Sequence, residues 1–502
     1  MKLFRAAQMQ AADQAAWQAG IPSLLLMEHA GQAVADFALA RWPQVRRVLV
    51  LCGSGNNGGD GYVVARLLHL AGRQVTVLAA ADDPNRLSPD AATMRRTYLA
   101  YPGAESAPLT LERLEASLNR SELVLDALLG SGLNRPLEGL LAEVVARLNT
   151  GGPDILSIDL PSGLSADTAE PLGPHIRATA TVQLAGPKLA SVLYPARAAF
   201  GNWEVADIGI PTSILDACGT VLWLTPERVR PMLPRRAPDA HKYQVGTVLV
   251  IAGSSRYQGA AVLCSHAALR AGAGLVTLAG PERPHNLPAE VIHEAVSWTS
   301  LPLDTLAALA PKRQQQRVIG PGLGDEALSY LPELIGLSPA PTILDATALA
   351  GNDLWLEAVR RHGRCVLTPH YGEAALLLQR PAADLARDPL GSAAALAEQV
   401  QAVVVLKGQP TTIAAPDGRL AVSTRGHPGM ASGGTGDALA GLLGAWLTTG
   451  ADPFERACAA VFVHGLAGEL AAHSHGDGLT ASDLIAQLAP AWQQLVRGTI
   501  PR

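Results

Sequence analysis

The chain has 502 residues, which is too long for one ordinary domain and predicts two or three. A net charge of −5 and a pI near 6.2 give no support for a nucleic-acid or membrane-surface partner. No stretch approaches the roughly 18 apolar residues of a membrane span. The N-terminus also lacks the apolar core of a signal peptide, so we expect a soluble, cytoplasmic protein.

The cysteines are scattered along the chain, odd in number and without CxxC spacing. This pattern is typical of buried, reduced thiols and indicates neither a disulfide framework nor a zinc site. They are Cys52, Cys218, Cys264, Cys365 and Cys458.

The first part of the chain alternates short β-rich runs with helical stretches, which predicts an α/β domain with a parallel sheet. We expect helices over 62–70 and 140–148. The predicted strands are 48–51, 75–78, 123–125, 155–158, 180–184 and 203–208.

A proline-rich region then interrupts the alternation, which restarts beyond it. We therefore predict a first domain over 1–215, a linker over 216–240 and a second domain over 241–502. Both domains are expected to be α/β with largely parallel sheets, whose ligands lie at the carboxyl ends of the strands. Predicted strands of the second domain are 248–251, 275–278, 317–319, 342–344 and 403–406, with a helix over 260–271.

The most informative motif is the segment 429–437, which reads Gly-Met-Ala-Ser-Gly-Gly-Thr-Gly-Asp and precedes an apolar run. The run predicts a buried helix, so the loop brings consecutive N–H groups and a positive helix end to one point. Such a point is a phosphate site. Asp437 is either a plain helix cap or a general base for a hydroxyl that attacks phosphorus, and the position beside a phosphate favours the base.

A second glycine-rich loop, 53–61, follows a predicted strand and opens a helix. It contains the pattern GxGxxG at Gly53, Gly55 and Gly58, which favours a dinucleotide site. The alternative is a tight strand–helix turn that Asp60 caps.

Polar side chains follow two further strands of the first domain. Asp126 ends one predicted strand, and Asp159 and Ser162 follow the next. Adjacent parallel strands are expected to bring Asn57, Asp126 and Ser162 together, and their oxygen atoms suit an alkali or alkaline-earth cation better than zinc. Asp159 is then the candidate acid–base residue, although each aspartate taken alone is equally a strand-end cap.

On these motifs the chain closely resembles the bifunctional NAD(P)H-hydrate repair family, in which an epimerase is fused to a dehydratase. The first domain resembles the Rossmann-like epimerase. The resemblance implies potassium ligands at Asn57, Asp126 and Ser162 and a catalytic carboxylate at Asp159. The residues that it assigns to the hydrated dinucleotide are Asn56, Asn57, Gly58, Gly59, Asp60, Gly130, Ser131, Gly132, Leu133, Asn134, Arg135 and Pro136.

The second domain resembles the ribokinase-like dehydratase, with landmarks in order at 241–246, 252–254, 320–324, 367–373, 407–411 and 429–437. The resemblance implies Mg²⁺ and a hydrated dinucleotide against Ala260, Gly322, His370 and Asp437. It places ADP or ATP near Lys407, Gly408, Gln409, Pro410, Thr411 and Gly436.

Several of these residues have structural alternatives. His370 is equally a strand-end histidine bonded to the backbone, Lys407 a solvated loop cation, and 320–324 only a turn. The chain also departs from its relatives, because Thr347 stands where they commonly carry aspartate. His464 and its neighbours form no convincing metal set, so we interpret them as structural.

The resemblance implies a repair enzyme that epimerises the R and S forms of NADHX and NADPHX. It then dehydrates the S form at the expense of ADP or ATP by phosphorylation and elimination. We expect small-molecule partners, no nucleic acid, no membrane and a homo-oligomer. One alternative is a kinase of a small alcohol. Another is a Rossmann-like RNA-decay scaffold, against which the retained Asp60, Asp126 and Asp159 and the acidic pI argue.

Overall fold

The computed structural model describes residues 1–81, 83–301, 315–447 and 450–500. The chain divides into two compact units, and the boundary between them along the sequence lies between Leu222 and Trp223. Both units are α/β, as the alternation of strand-like and helix-like segments predicts.

The first unit contains nine strands along its described residues, and all six predicted ones are among them. The strands are β1 Lys2–Leu3, β2 Arg47–Cys52, β3 Gln74–Ala79, β4 Ser106–Pro108, β5 Leu123–Ala127, β6 Asp154–Ile158, β7 Ala180–Leu184, β8 Asn202–Ala206 and β9 Val221–Trp223. The α-helices are Ala6–Gln18, Ser23–Arg41, Asn56–Leu70, Pro89–Leu99, Leu111–Leu118, Gly139–Leu148 and Thr212–Cys218.

Seven of these strands form one parallel sheet in the order β4-β3-β2-β5-β6-β7-β8. The first strand of this sheet along the chain, β2, lies between β3 and β5. The chain therefore runs outward in both directions from β2, and such a switch point leaves a crevice at the carboxyl ends of the strands. β1 pairs with β9 in an antiparallel manner.

Side chains of β2 alternate between two apolar clusters, one on each face of this sheet. Val48, Val50 and Cys52 belong to one cluster, while Leu49 and Leu51 belong to the other. This alternation follows from the two-residue period of a strand. Each fully buried side chain of this kind contributes about 1.5–3 kcal/mol, and the strand that positions the 53–61 loop is thus held from both sides.

The second unit has a longer sheet, in the order β12-β11-β10-β13-β14-β15-β16-β17-β18. Its strands are β10 Thr247–Ile251, β11 Leu275–Gly280, β12 Val291–Ala295, β13 Gln315–Ile319, β14 Thr342–Leu344, β15 Cys365–Leu367, β16 Val403–Leu406, β17 Thr411–Ala414 and β18 Leu420–Ser423. Its α-helices are Pro226–Val229, Lys242–Val245, Gln258–Arg270, Leu331–Gly336, Asp353–His362, Tyr371–Leu378, Ala382–Arg387, Pro389–Val400, Thr435–Trp446, Pro453–His475 and Ala481–Arg497.

The sheet of the second unit is parallel from β12 to β16, as the sequence predicts. Its last two strands, β17 and β18, are antiparallel and extend one edge. The strand β10 lies between β11 and β13, so this sheet also has a switch point. Helix Thr435–Trp446 packs against helix Gln258–Arg270 and against β13 and β14.

All five cysteines are free thiols, as their spacing predicts. Four are buried, but Cys218 is half-buried because it ends a helix without a buried residue, so the prediction of buried thiols is wrong there. None of the helices among the described residues is long and apolar enough to cross a membrane.

Candidate active sites

A cavity of about 470 Å³ opens in the first unit at the carboxyl ends of its parallel strands. The residues after β2, β5 and β6 all contribute to it, which places the cavity at the switch point of the sheet. The polar side chains on its wall include Gln10, Asp13, Asn56, Asn57, Asp60, Asp90, Ser131, Asp159 and Lys188.

The loop 53–61 leads directly into helix Asn56–Leu70, whose first turn borders this cavity. Asp60 lies in the second turn and is only 7% exposed, so the alternative in which Asp60 caps the helix is wrong. Gly53 and Gly58 leave no room for a side chain. A Cβ added to Gly53 would overlap the carbonyl oxygen of Leu128, and a Cβ added to Gly58 would overlap that of Gly53. Gly55, by contrast, faces open space.

The three predicted cation ligands lie around the start of this helix and the ends of β5 and β6. Asp126 is fully buried and accepts hydrogen bonds from Ser162 Oγ at 2.6 Å and from Ser157 Oγ at 2.8 Å. Both polar side-chain atoms of Asn57 are buried and have no hydrogen-bond partner among the described residues, and Gly130 lies against this side chain. A buried carboxylate beside an unpartnered amide oxygen fits a cation of the oxygen-preferring class.

Asp159 has an unusual backbone and a buried partner. Its φ is 70°, a left-handed conformation that costs a non-glycine residue free energy and is often found at functional sites. Its Oδ1 accepts a hydrogen bond from Lys188 Nζ and another from the N–H of Leu184 at 3.2 Å. Lys188 is 1% exposed and also donates to the Leu184 carbonyl oxygen at 2.8 Å.

Lys188 was not predicted from the sequence, although it lines the cavity directly beside Asp159. One signal was present, because Lys188 closes the segment Ala-Gly-Pro-Lys that follows β7. A basic residue after a Gly-Pro turn at a strand end is a candidate for a site in this fold.

The remaining residues assigned to the dinucleotide differ in their position. Gly130, Ser131, Gly132 and Leu133 line the cavity, as do Asn56 and Asn57. Asn56 is exposed, and its Oδ1 accepts a hydrogen bond from Ser88 Oγ at 2.7 Å. Gly58 and Gly59 are buried behind this turn, whereas Asn134, Arg135 and Pro136 are exposed and lie outside the lining.

In the second unit, the segment 429–437 ends in the first turn of helix Thr435–Trp446. The helix cap is Gly434, whose φ of 94° favours glycine, and Asp437 is the third helical residue. The plain-cap interpretation of Asp437 is therefore wrong. Thr435 Oγ1 donates to the carbonyl oxygens of Met430 and Ser432, at 3.0 and 3.1 Å, and so fastens the loop to the helix start.

A charged cluster surrounds Asp437. Lys407 Nζ lies 2.7 Å from Asp345 Oδ1 and 3.8 Å from Glu373 Oε2, and an added Cβ on Gly436 would lie 3.4 Å from the same nitrogen. The side chain of Lys407 is only 21% exposed, so it is not a solvated loop cation. Its ammonium group is thus held at the beginning of helix Thr435–Trp446.

These neighbours set the protonation of Asp437. Burial raises the pKa of Asp437 to about 7, and the carboxylate of Asp345 adds to the effect. The ammonium group of Lys407 acts in the opposite direction and Glu373 raises the pKa again. A carboxyl group with this pKa is poised to act as a general base near neutral pH.

His370 begins helix Tyr371–Leu378. Its Nδ1 accepts a hydrogen bond from the N–H of Glu373 at 3.1 Å, and Glu373 Oε2 accepts one from the N–H of His370 at 2.8 Å. The alternative in which His370 is hydrogen-bonded to the backbone therefore holds for its Nδ1 atom. The side chain is nevertheless exposed, and its backbone pairs with that of Lys407.

Ala260 and Gly322 lie next to each other at the switch point of the second sheet. An added Cβ on Gly322 would lie 2.9 Å from the Cβ of Ala260, and the φ of Gly322 is 64°. Thr347 Oγ1 donates to the carbonyl oxygen of Leu323 at 2.7 Å. Thr347 therefore fastens the turn that carries Gly322.

The residues after Lys407 form a compact turn into β17. Thr411 Oγ1 donates to the Gly408 carbonyl oxygen at 3.0 Å, and Gly408 packs against the ring of Tyr371. Gln409 is exposed and Pro410 is buried. In the part of the chain that the structure describes, no cluster of three or more His, Cys, Asp or Glu side chains could hold a metal ion.

Two family models match the chain, one in each unit. The model described as NAD(P)H-hydrate dehydratase matches residues 248–490. The model described as YjeF-related protein N-terminus matches residues 23–190.

Full-length relatives are similar over both units. A bifunctional NAD(P)H-hydrate repair enzyme from Moorella thermoacetica is 38% identical over 97% of this chain and 95% of its own. One from Thermofilum pendens is 36% identical over 99% and 97%. Among solved structures, an ADP/ATP-dependent NAD(P)H-hydrate dehydratase from Bacillus subtilis, co-crystallised with ATP/Mg²⁺, is 30% identical over 55% of this chain and 99% of that one, with a TM-score of 0.47.

The similarity to these relatives extends across both units and thus includes the site of each. The chain therefore belongs to the family of bifunctional NAD(P)H-hydrate repair enzymes.

Proposed function

We propose that the second unit dehydrates the S form of the NAD(P)H hydrates, with ADP or ATP as phosphoryl donor and Asp437 as general base. One observation carries this proposal. Asp437 is half-buried in the first turn that follows the glycine loop, and its pKa is about 7. A carboxyl group at that position and with that pKa accepts a proton from a substrate hydroxyl near neutral pH.

The nucleotide would be held by the groups that face its phosphates. The N–H groups at the start of helix Thr435–Trp446 and the ammonium group of Lys407 supply positive charge at one point. The residues 408–411 then support the rest of the nucleotide beside Lys407. Mg²⁺ would be held mainly by the nucleotide phosphates, as it is where protein ligands are few, with Asp345 and Glu373 as nearby carboxylates.

The proposed chemistry has two steps. Asp437 removes the proton of the ring hydroxyl, whose oxygen attacks the terminal phosphorus of ADP and releases AMP. The N–H groups of 433–436 stabilise the charge on the transferred group. Phosphate then leaves from the ring together with a proton of the neighbouring carbon, which restores the double bond and yields NADH or NADPH.

We assign the interconversion of the R and S hydrates to the cavity of the first unit. Asp159 would exchange a proton with the hydrate, supported by its contacts with Lys188 and the N–H of Leu184. A potassium ion would be held by Asn57, Asp126 and Ser162, where it balances the buried carboxylate and fixes the loop at Gly130. The unpartnered polar atoms of Asn57 support this choice.

A small-molecule kinase is the second candidate, because a glycine loop of this kind serves stable phosphorylation as well as elimination. The two functions differ in their products. Purified protein is incubated with a mixed-epimer hydrate and ADP or ATP, and the products are separated by chromatography. We expect reduced dinucleotide and free phosphate in equal amounts. A phosphorylated dinucleotide that accumulates without reduced dinucleotide would support the kinase instead.

A further inference from the structure

One face of the N-terminal helix Ala6–Gln18 forms part of the wall of the first cavity. Met9, Asp13 and Trp17 are spaced four residues apart, so they lie on the same side of the helix, and all three line the cavity. Asp13 is the one ionisable residue among the 13 of this helix. Along the described chain, no hydrogen bond joins its carboxyl group to another residue, so the group is available to a ligand.

Asp13 belongs to a cluster with an excess of acidic groups. Asp60, Asp90 and Asp159 line the same cavity, so four carboxyl groups share it with one ammonium group, that of Lys188. Lys188 Nζ is already bonded to Asp159, and among the described residues neither Asp13 nor Asp60 has a cationic partner in direct contact. Carboxyl groups that share a site in this way cannot all ionise at little cost, so some of them hold protons.

Burial and the neighbouring charges favour the protonated forms of Asp13 and Asp60. Burial raises the pKa of Asp13 to about 6, with Lys188 lowering it and Asp159 raising it. Burial also raises the pKa of Asp60 well above its usual value, and Asp159 and Asp13 add to this effect. Asp60 is 7% exposed, whereas Asp13 is half-buried, so Asp13 is the acid that a ligand in the cavity reaches more readily.

We propose that Asp13 is a second acid–base residue of the epimerase site, which gives a proton to the hydroxyl group that leaves the hydrated ring. Asp159, bonded to Lys188, receives a proton from the water molecule that returns to the opposite face. This inference rests on the proposed epimerase function of the same cavity and adds a residue to it.

The proposed step is balanced. The carbon–oxygen bond at the hydroxyl-bearing carbon breaks, and the hydroxyl takes the Asp13 proton and departs as water. The lone pair of the adjacent ring nitrogen forms the new carbon–nitrogen double bond, so the ring becomes an iminium ion. Water then adds to the same carbon from the other face and loses a proton to Asp159. Exchange with solvent resets both carboxyl groups, and nothing is oxidised or reduced.

Other titratable groups near Asp13 lie on the neighbouring elements. Asp90, in helix Pro89–Leu99, also lines the cavity. Helix Thr212–Cys218, which packs against the N-terminal helix, carries Asp216 and Cys218. The groups that act on the pKa of Asp13 are Lys188 and Asp159, which follow β7 and β6.

The test compares Asp13→Asn and Asp13→Glu with the unaltered protein. The conversion of the purified R hydrate into S is followed by chromatography without ADP, so that dehydration does not interfere. We expect Asp13→Asn to lower kcat by about 100-fold or more with little change in KM, since a positioned acid contributes a factor of about 10²–10⁴. Asp13→Glu should recover part of the loss.

The pH dependence gives a readout that a structural role would not move. Because Asp13 acts in its protonated form, the rate of the unaltered protein should fall as the pH rises above about 6. The Asp13→Asn protein should not show this fall in the epimerisation rate above pH 6. Asp36→Asn, which removes an exposed carboxyl group of helix Ser23–Arg41, serves as the matched control and should epimerise normally.

Three results would overturn the inference. The first is an Asp13→Asn protein that epimerises within about threefold of the unaltered one, and the second is an unaltered protein whose rate does not fall above pH 6. The third is an unaltered protein that does not epimerise at all, and this result alone would also overturn the proposed function of the cavity. Dehydration of the purified S hydrate by each variant reports whether the chain is folded.

Discussion

At the scale of single residues, the pKa of Asp437 depends on burial and on a neighbouring buried carboxylate, that of Asp345. Asp345 is 1% exposed and accepts hydrogen bonds from Thr368 Oγ1 and Lys407 Nζ, each at 2.7 Å. It thereby fixes the ammonium group close to Gly436. Burial lowers the pKa of Lys407, but Asp345 and Glu373 more than offset this, so the lysine stays charged.

The substitution Lys407→Met tests this arrangement. Lys407 lowers the pKa of Asp437, so its removal should raise that pKa above about 7. Dehydration requires the ionised Asp437, and its rate should therefore rise with pH along a limb that lies at higher pH than in the unaltered protein. A tenfold change in the acidity of Asp437 corresponds to about 1.4 kcal/mol. The measurement is the pH dependence of kcat for the S hydrate at saturating ADP.

Arg361→Met provides the control, because Arg361 is an exposed cation of the same unit, in helix Asp353–His362, and lies outside the motifs named above. Its pH profile should match that of the unaltered protein. A profile for Lys407→Met that keeps the original limb, at whatever absolute rate, would show that Lys407 does not tune Asp437.

Some site residues were not predicted because the residues that they contact are far away in the sequence. Lys188 and Asp159 are 29 residues apart, and Lys407 and Asp345 are 62 residues apart. Asp437 and Lys407 were predicted because each lies in a glycine-containing motif. Lys188 follows only a short Gly-Pro turn and Asp13 lies in a helix without a motif, so only the folded chain brings them to one cavity.

At the scale of elements, the geometry of the loop 53–61 depends on two of its glycines. An added Cβ on Gly58 would overlap the carbonyl oxygen of Gly53 within the same turn. This oxygen belongs to the backbone, so it could move away from the added Cβ only if the backbone at the start of helix Asn56–Leu70 were distorted. The helix start in turn carries Asn57 and Asp60, so the loop and the site are coupled.

The substitution Gly58→Ala should therefore lower both stability and epimerisation. We expect a loss of about 1–3 kcal/mol in the free energy of unfolding of the first unit, the usual cost of overpacking. Epimerisation should fall further than stability alone explains, because Asn57 is displaced. Thermal unfolding and R-to-S conversion at a temperature below the transition measure the two effects.

Gly55→Ala is the matched control in the same loop. A Cβ on Gly55 meets no atom within 4 Å, and its φ of −90° is open to any residue. This variant should therefore fold as stably as the unaltered protein. Equal effects of the two substitutions would mean that close approach at Gly58 is not what shapes the loop.

Strands with continuous apolar runs were predicted well, and those without such runs were not. The predicted strands of both units are present because a parallel strand buried on both faces has a clear sequence pattern. The antiparallel edge of the second sheet was not predicted, since the threonines of β17 and the serine of β18 shorten their apolar runs. The cap interpretations of Asp60 and Asp437, which were the less favoured alternatives, are wrong, because both residues lie inside their helices.

At the scale of the whole molecule, the chain consists of two compact units, each with candidate site residues at the carboxyl ends of its own parallel strands. The residues that line the first cavity all belong to the first unit, and the cluster around Asp437 belongs to the second. Each activity is therefore expected to depend on its own carboxylate. A fused chain of this kind carries one site for each activity. The epimerase site converts the R hydrate into the S hydrate, so the dehydratase site can consume both.

The most direct measurement determines both activities in Asp437→Asn and Asp159→Asn, with separated R and S hydrates as substrates. We expect Asp437→Asn to lose dehydration of the S hydrate by a factor of about 10²–10⁴, while it converts R into S at the unaltered rate. Asp159→Asn should dehydrate the S hydrate normally but leave the R hydrate unconverted. A similar loss of both activities in either variant, or normal dehydration by Asp437→Asn, would contradict the assignment of Asp437 as the base of a separate dehydratase site.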